Sequence, residues 1–128
     1  MSDFCPCQSG SLYKNCCGPF LMKKEIPATP EALMRSRYTA YAEGDMDYIE
    51  KTMRMPAAKN FNKKEAEISN QSIRWCGLNI VFAKTEGEKG WVEFIASYSF
   101  EDKTYQLHEL SEFTLLNKQW YYIDGKIK

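Results

Sequence analysis

Residues 91–123, WVEFIASYSFEDKTYQLHELSEFTLLNKQWYYI, decide the fold of this chain. They are dominated by β-branched and aromatic residues, and so is the segment 73–85 that precedes them. Short polar turns divide them into the runs 91–100, 104–116 and 119–123, which is typical of strands joined by hairpins. Because consecutive strands with short links pair antiparallel, the sequence predicts a four-stranded antiparallel meander.

The alternation of side chains along these strands predicts which of them face a common core. Glu109 and Ser111 share the parity of their apolar neighbours, so both are expected to point at the covered face of the sheet. Cys76 lies in an apolar run and is interpreted as a small core residue. The apolar side chains assigned to the covered face are Leu78, Ile80, Phe82, Val92, Phe94, Ala96, Tyr98, Leu107, Phe113 and Leu115.

Helix signals occupy the part of the chain ahead of the strands. Thr29 is a suitable N-cap, Pro30 suits the first helical position and Gly44 favours a stop, so one helix is expected between them. Asp45 is expected to cap a second helix, and Asn62 a third. Helices followed by strands indicate an α+β fold in which the helices cover one face of the sheet.

The amino-terminal segment 4–19 reads FCPCQSGSLYKNCCGP. Two close cysteine pairs joined by a short glycine-containing turn can place four thiolates at the corners of a tetrahedron, which a structural zinc ion requires. Four protein ligands leave no open position for water, so the spacing argues against a catalytic zinc. A redox dithiol, a disulfide cluster and a redox sensor that releases zinc stay as alternatives. The predicted ligands are Cys5, Cys7, Cys16 and Cys17.

Composition and the first residues narrow the classes of function. The 17 Lys and Arg residues equal the 17 Asp and Glu residues in number, so the chain gives no strong nucleic-acid signal. The start, Met-Ser-Asp-Phe, lacks the basic and apolar segments of a secretory signal, and no apolar run approaches the roughly 20 residues of a membrane span. We therefore expect a cytoplasmic protein, and a reducing compartment favours metal binding over disulfides.

Two blocks of the sequence resemble known families. The cysteine segment resembles the SEC-C motif, first named for the zinc-binding tail of the translocation ATPase SecA. The rest resembles the bacterial YchJ family in the stretches PEALMRSRYTAY (30–41), LHELSEF (107–113) and WYYIDG (120–125). The resemblance implies one structural Zn²⁺ on the four cysteines, followed by a nuclear-transport-factor-2-like (NTF2-like) cone of helices packed in a curved four-stranded sheet. It divides the chain into a zinc knuckle, 1–19, and an NTF2-like domain, 20–128.

The leading functional prediction is a non-enzymatic protein-interaction module, because the metal site is closed and the sequence shows no acidic pair or His–Asp dyad. The resemblance to SecA implies partners in the translation, secretion or chaperone apparatus, and the fold is compatible with a homodimer through the free face of its sheet. One residue of the knuckle departs from the motif, since Gln8 stands where glycine is usual. The backbone conformation at that position must therefore be one that a residue with a side chain can adopt. The knuckle residues expected to meet a partner are Gln8, Ser9, Leu12, Tyr13 and Lys14.

The alternative prediction is a small-molecule binder, or an isomerase- or dehydratase-like enzyme, that uses the cavity of the cone. Glu109 would act as the base there, with Tyr38, Tyr41 or Tyr98 as hydrogen-bond donors. His108 is adjacent to Glu109, but neighbouring strand residues point to opposite faces, so the two do not form an acid–base pair. A buried structural network between Glu109 and the arginines and tyrosines of the first helix is the simpler interpretation. Between the two predictions, the sequence favours a protein that is not an enzyme.

Overall fold

A computed structural model describes residues 3–128. Within that range four α-helices precede four strands, and the strands form one sheet in the order β1-β2-β3-β4 with every neighbouring pair antiparallel. This confirms the predicted α+β meander. None of these helices has the length and hydrophobicity needed to cross a membrane. The elements are α1 (Gly18–Leu21), α2 (Pro30–Glu43), α3 (Met46–Lys51), α4 (Lys63–Gln71), β1 (Arg74–Glu86), β2 (Lys89–Phe100), β3 (Lys103–Leu116) and β4 (Gln119–Ile127).

The helix boundaries follow the capping residues of the sequence. The Thr29 hydroxyl accepts a hydrogen bond from the backbone N–H of Ala32 at 3.0 Å, and Gly44 ends α2 with a φ of +80°. Glycine adopts this left-handed conformation without the steric cost that a Cβ imposes. Asp45 and Asn62 accept hydrogen bonds from the first turns of α3 and α4 in the same way. All three predicted caps are confirmed.

Two-residue turns connect the strands. The residues at 101–102 and 117–118 all have positive φ, and Gly87 has a φ of +60° in the first turn. Turns of this hand match the right-handed twist of the strands that they join. The first turn is shorter than the sequence predicted, because β1 and β2 pair as far as Glu86 and Lys89.

Two β-bulges in β1 overturn two of the predicted core positions. Cys76 was expected in the core, but it is exposed. The pairing passes from Trp75 opposite Tyr98 to Gly77 opposite Ser97, so Cys76 is the extra residue of a bulge and is left outside the ladder.

The second bulge lies between Ile80 and Phe82. It reverses the alternation beyond that point, so Phe82 lies opposite Glu93 on the outer face and is 44% exposed, and its predicted place in the core is wrong. Ala83 takes the inner position instead, opposite Val92.

The main hydrophobic core lies between α2 and the inner face of the sheet. Cys5, Cys7 and Cys17 belong to this core and are at most 3% exposed. The knuckle therefore shares one buried core with the sheet. The domain boundary at residue 19 stays a prediction from the sequence. The other buried members are Leu33, Met34, Tyr38, Leu78, Val92, Phe94, Ala96, Phe113 and Trp120.

A smaller core forms where α3 packs beside α2. Phe20 and Leu21 of α1 pack against it, and so does Phe61, which precedes α4. Tyr122 of β4 also contacts this cluster, which joins the helical layer to the far edge of the sheet. Its buried residues are Ala40, Met46, Tyr48, Ile49 and Met53.

Candidate metal centre

A small hairpin at the amino terminus brings the first cysteine pair into place. Phe4 and Leu12 form a β-bridge, and the Cys5 N–H donates to the Ser11 carbonyl at 2.9 Å. Between them the chain turns sharply through Gln8, whose φ is +61°. The predicted backbone demand at Gln8 is thereby confirmed. It arises because the Gln8 N–H donates back to the Cys5 carbonyl at 3.1 Å.

A short 3-10 turn, Tyr13–Asn15, and the start of α1 deliver Cys16 and Cys17 to the same point. All four sulfur atoms lie within 4.8 Å of one another. The Sγ atoms of Cys7 and Cys16 are 3.6 Å apart, and those of Cys16 and Cys17 are 3.9 Å apart.

These distances fit a metal ion and not a disulfide. Tetrahedral zinc with Zn–S bonds of about 2.3 Å separates its sulfur ligands by roughly 3.8 Å. A disulfide requires about 2.05 Å, and all five cysteines of the chain are free. Three of the four sulfurs are buried, and only Cys16 is partly accessible. The cluster therefore matches a closed structural site in both donor chemistry and geometry.

The sulfurs also influence each other's protonation. A hydrogen bond from Cys17 lowers the pKa of Cys7, and the same bond together with burial raises the pKa of Cys17. Two buried thiols that share a proton in this way cannot both ionise unless a cation compensates their charge. A divalent metal supplies that compensation by replacing the thiol protons.

Three polar side chains lie beside the cysteines of the cluster. The hydroxyl of Ser9 lies 3.2 Å from Cys16 Sγ, within the knuckle itself. Two others come from α2: the Thr39 hydroxyl lies 3.7 Å from Cys5 Sγ, and Arg35 Nη1 donates to the Cys7 carbonyl at 2.9 Å. The sequence alone gave no sign of Thr39, because its contact is with a segment more than thirty residues away.

Side chains of the knuckle also bond it to the helices and sheet of the rest of the chain. Gln8 donates to the Cys76 carbonyl at 3.5 Å and accepts from the Leu78 N–H at 3.3 Å, so it bridges to β1. The Tyr13 hydroxyl donates to Glu43 at 3.2 Å, and burial together with the Glu43 charge raises the pKa of Tyr13 to about 12. Of the five residues expected to meet a partner, Gln8, Ser9 and Tyr13 thus make contacts within the chain.

The remaining two, Leu12 and Lys14, line a groove of about 430 Å³ on the knuckle surface. Phe4 borders the same groove and is 61% exposed. The groove is lined by four apolar or aromatic side chains together with one basic and two acidic side chains. Its lining residues are Asp3, Phe4, Pro6, Leu12, Tyr13, Lys14 and Glu43.

Glu109 faces the inside of the cone, as the strand parity predicted, but its partners differ from the predicted ones. Its carboxylate accepts from the Ser111 hydroxyl at 2.7 Å and from the Tyr122 hydroxyl at 3.3 Å. Burial and the Glu109 charge raise the pKa of Tyr122. Sequence reasoning missed Tyr122 because its contact depends on the bulge between Glu112 and Phe113, which sets the register of β4.

Arg37 joins this network from α2. Its guanidinium lies over the Tyr122 ring, 4.6 Å from the centroid, and donates to the Ile49 carbonyl at 2.9 Å and to the Thr52 hydroxyl at 2.7 Å. The residue is 4% exposed, and burial lowers the pKa of Arg37. In residues 3–128 no buried side-chain nitrogen or oxygen is left without a hydrogen-bond partner.

The predicted tyrosine donors gather elsewhere. Tyr38, Tyr41 and Tyr98 surround the Trp75 ring at centroid distances of 5.9, 5.8 and 5.3 Å. This aromatic cluster packs α2 against β1 and β2, while Glu109 bonds to Tyr122 and Ser111.

His108 lies on the outer face of the sheet. Its Nε2 is 2.7 Å from the Glu93 carboxylate, on the strand beside it. The expectation that His108 and Glu109 point to opposite faces is confirmed.

Comparisons with known proteins match both parts of the chain. Residues 1–19 match the model of the SEC-C motif, and residues 29–125 match that of the YchJ middle NTF2-like domain. A UPF0225 protein of Sodalis glossinidius is 40% identical over 130 residues, which cover 98% of this chain and 84% of that protein.

Two solved structures have the same architecture. The solution structure of a SEC-C motif containing protein from Rhodopseudomonas palustris has a TM-score of 0.89 and 36% identity, with 95% of this chain and 96% of that one covered. The crystal structure of a SEC-C motif containing protein from Psychrobacter arcticus has a TM-score of 0.81 and 30% identity, with 97% and 82% covered.

Proposed function

The chain belongs to the YchJ family of UPF0225 proteins, with a SEC-C motif ahead of an NTF2-like domain, and from that premise we propose that it is a cytoplasmic zinc-binding protein-interaction module. The four cysteines hold one structural zinc ion in this proposal. The knuckle that they fix provides the docking surface for a protein partner. The observation that carries the proposal is the groove of about 430 Å³ that the metal-binding segment forms together with Glu43 of α2.

Zinc is the metal that the donor set supports. Four thiolates without carboxylate or imidazole ligands are typical of structural zinc sites. The knuckle alone is too short to build a core, so the bound metal supplies folding energy there. Because three of the ligands are fully enclosed in the main core, the metal also braces the side of the cone on which they lie.

The groove fits a short segment of a partner protein. An apolar side chain of the partner would pack against Phe4 and Leu12, which are exposed or half-buried. Lys14 is exposed and would pair with an acidic residue beside that side chain. The bridge between Phe4 and Leu12 would hold these groups in place before binding, which lowers the entropy that docking must overcome.

A double variant tests the docking surface. We expect Phe4→Ala with Lys14→Glu to lose the partners that wild-type protein recovers from a lysate of the native host. The matched control is Phe100→Ala with Lys103→Glu, which changes an exposed aromatic and an exposed lysine on the β2–β3 hairpin. Quantitative mass spectrometry of the recovered proteins gives the comparison, and zinc content with a thermal melt confirms that both variants fold.

Equal recovery by wild type and the Phe4/Lys14 variant would overturn the docking groove. Loss in both variants would point to a surface outside the knuckle and would overturn it as well. Loss in the knuckle variant alone supports the proposal and identifies the partner.

The enzymatic alternative receives less support from the geometry. Phe94 lies opposite Glu109 on the neighbouring strand, Phe113 packs on the Tyr122 ring, and both are at most 4% exposed. Glu109 already has two hydrogen-bond donors within the chain, which is the arrangement of a structural network. A small ligand at Glu109 therefore stays the second candidate, and native mass spectrometry of gently purified protein would reveal it as an organic adduct beyond one zinc.

A further inference from the structure

One stripe of α2 faces the knuckle along three turns of the helix. Residues four apart lie on the same helical face, and Glu31, Arg35, Thr39 and Glu43 form such a series. Glu31 holds the Arg35 guanidinium in an ion pair at 3.1 Å. Each of the next three side chains then contacts the knuckle: Arg35 at Cys7, Thr39 at Cys5 and Glu43 at Tyr13.

Thr39 lies at the centre of this stripe. It is fully buried, and its hydroxyl points at the Cys5 sulfur from 3.7 Å. A buried hydroxyl needs a hydrogen-bond partner, and a thiolate is a good acceptor for it. A valine of the same shape would fill the same space without offering the proton.

Arg35 brings positive charge to the same cluster. Its Nη1 lies 3.9 Å from Cys7 Sγ while it donates to the Cys7 carbonyl. Four thiolates and one Zn²⁺ carry a net charge of −2. A cation fixed beside one thiolate offsets part of that charge, and the ion pair with Glu31 prevents the guanidinium from turning away.

We infer that α2 supplies the outer coordination shell of the metal site, with Thr39 and Arg35 as positioning residues that strengthen zinc binding. Hydrogen bonds of this kind orient metal ligands and tune their basicity. Both residues lie outside the SEC-C motif, so the NTF2-like domain sets the metal affinity of the knuckle. The inference rests on the zinc binding proposed above.

Zinc competition with a chromophoric chelator measures the effect in the full chain. We expect Thr39→Val to weaken zinc binding about 10-fold, in the range that outer-shell changes produce. Arg35→Met should weaken it by a similar factor, and Arg35→Lys should recover part of the loss because it keeps the charge. The matched control is Thr52→Val, which removes a buried hydroxyl from the Arg37 network and should change zinc affinity less than about 2-fold.

The absorption spectrum of the Co²⁺-loaded protein provides a readout that a general loss of stability does not change. We expect the Co²⁺-loaded Thr39→Val protein to keep a tetrahedral spectrum, with its sulfur-to-metal charge-transfer band shifted to lower energy because one thiolate has lost a hydrogen bond. The Thr52→Val protein should keep the wild-type band.

The outcomes separate this inference from the proposed function. If wild-type protein binds no zinc, the proposed metal site fails and the inference fails with it. If wild type binds zinc and Thr39→Val binds it equally well, only the inference is overturned. An equal loss of affinity in Thr52→Val and Thr39→Val, with no spectral shift, would also overturn it.

Discussion

Helix α2 buries polar groups on two sides, and the two sides differ in how these groups are hydrogen-bonded and how their charge is balanced. Toward the cone, Arg37 finds the Ile49 carbonyl and the Thr52 hydroxyl, and Tyr122 connects it to Glu109. That network is complete with protein groups alone. Toward the knuckle, four sulfurs converge within 4.8 Å, and their few donors do not balance the charge of four thiolates. The knuckle side would therefore need a cation for its thiols to ionise together, whereas the cone side is satisfied by the groups of the chain.

Removing a ligand from the knuckle is expected to have the largest effect. Cys7→Ser should abolish stoichiometric zinc binding and lower the free energy of unfolding by about 4 kcal/mol, because Cys7 lies in the main core. The melting temperature should fall by more than about 10 °C. Elemental analysis and calorimetry measure the two quantities.

The control for that experiment is Cys76→Ser, at the exposed bulge. It should keep its zinc and its melting temperature to within about 0.5 kcal/mol of stability. A Cys7→Ser protein with unchanged stability would contradict the difference between the two sides of α2, since the knuckle side would then be stable without a metal.

Disrupting the cone side is expected to have the next largest effect, with no dependence on metal. Arg37→Met should lower the free energy of unfolding by about 3 kcal/mol, because the Ile49 carbonyl and the Thr52 hydroxyl lose their donor. The variant should retain one zinc per chain, and Arg74→Met, at an exposed arginine, is the control. Denaturant unfolding with and without a chelator tests the expectation. Loss of zinc from the Arg37 variant would show that the two sides of α2 are not independent.

The smaller core beside α2 should also respond to alkaline pH, because it buries the Tyr48 hydroxyl against Ser36. Burial raises the pKa of Tyr48 to about 12, above the value near 10 for an unfolded tyrosine. The neutral form is favoured in the fold, so this stabilisation is fully present below about pH 10 and is lost as the pH rises through 12. The expected loss is about 2 kcal/mol.

Unfolding curves between pH 8 and 12 measure the slope. Tyr48→Phe should flatten it, although the variant starts from lower stability because the bond to Ser36 is absent. Tyr105→Phe, at an exposed ring, is the control. Equal slopes in wild type and Tyr48→Phe would contradict the expectation.

The smallest effect concerns the backbone of the knuckle. At φ +61° a side chain at position 8 costs about 1 kcal/mol relative to glycine, and Gln8 offsets this through its bonds to β1. Gln8→Ala loses those bonds and keeps the cost, so it should be less stable than Gln8→Gly by about 0.5–1 kcal/mol. At Lys14, in a 3-10 turn, the order of the alanine and glycine variants should be reversed. Thermal melts of the four variants test both orders.

Local signals predicted α2 well because its two ends are determined within a few residues of chain. Thr29 and Gly44 act on adjacent backbone groups, and neither needs the rest of the fold. The convergence of the four cysteine sulfurs was predictable for the same reason, since their spacing alone allows a tetrahedron.

The rest depended on contacts between distant segments. The bulges that expose Cys76 and Phe82 arise from the pairing of β1 with β2, and only Gly77, beside the first of them, is a local sign of a bulge. The contact of Thr39 with the sulfurs requires the knuckle to dock on α2. Tyr122 replaced the predicted partners of Glu109 because the register of β4 is set by its own bulge.

Cys76, in the exposed bulge of β1, offers one site for selective chemical labelling. When zinc occupies the knuckle, its four thiolates are shielded from alkylating reagents, and Cys76 is the one cysteine left on the surface. A fluorophore attached there sits beside Gln8, which contacts the Cys76 carbonyl from the knuckle. Its emission would report whether the knuckle ever separates from the sheet, in unmodified sequence and without any engineered label site.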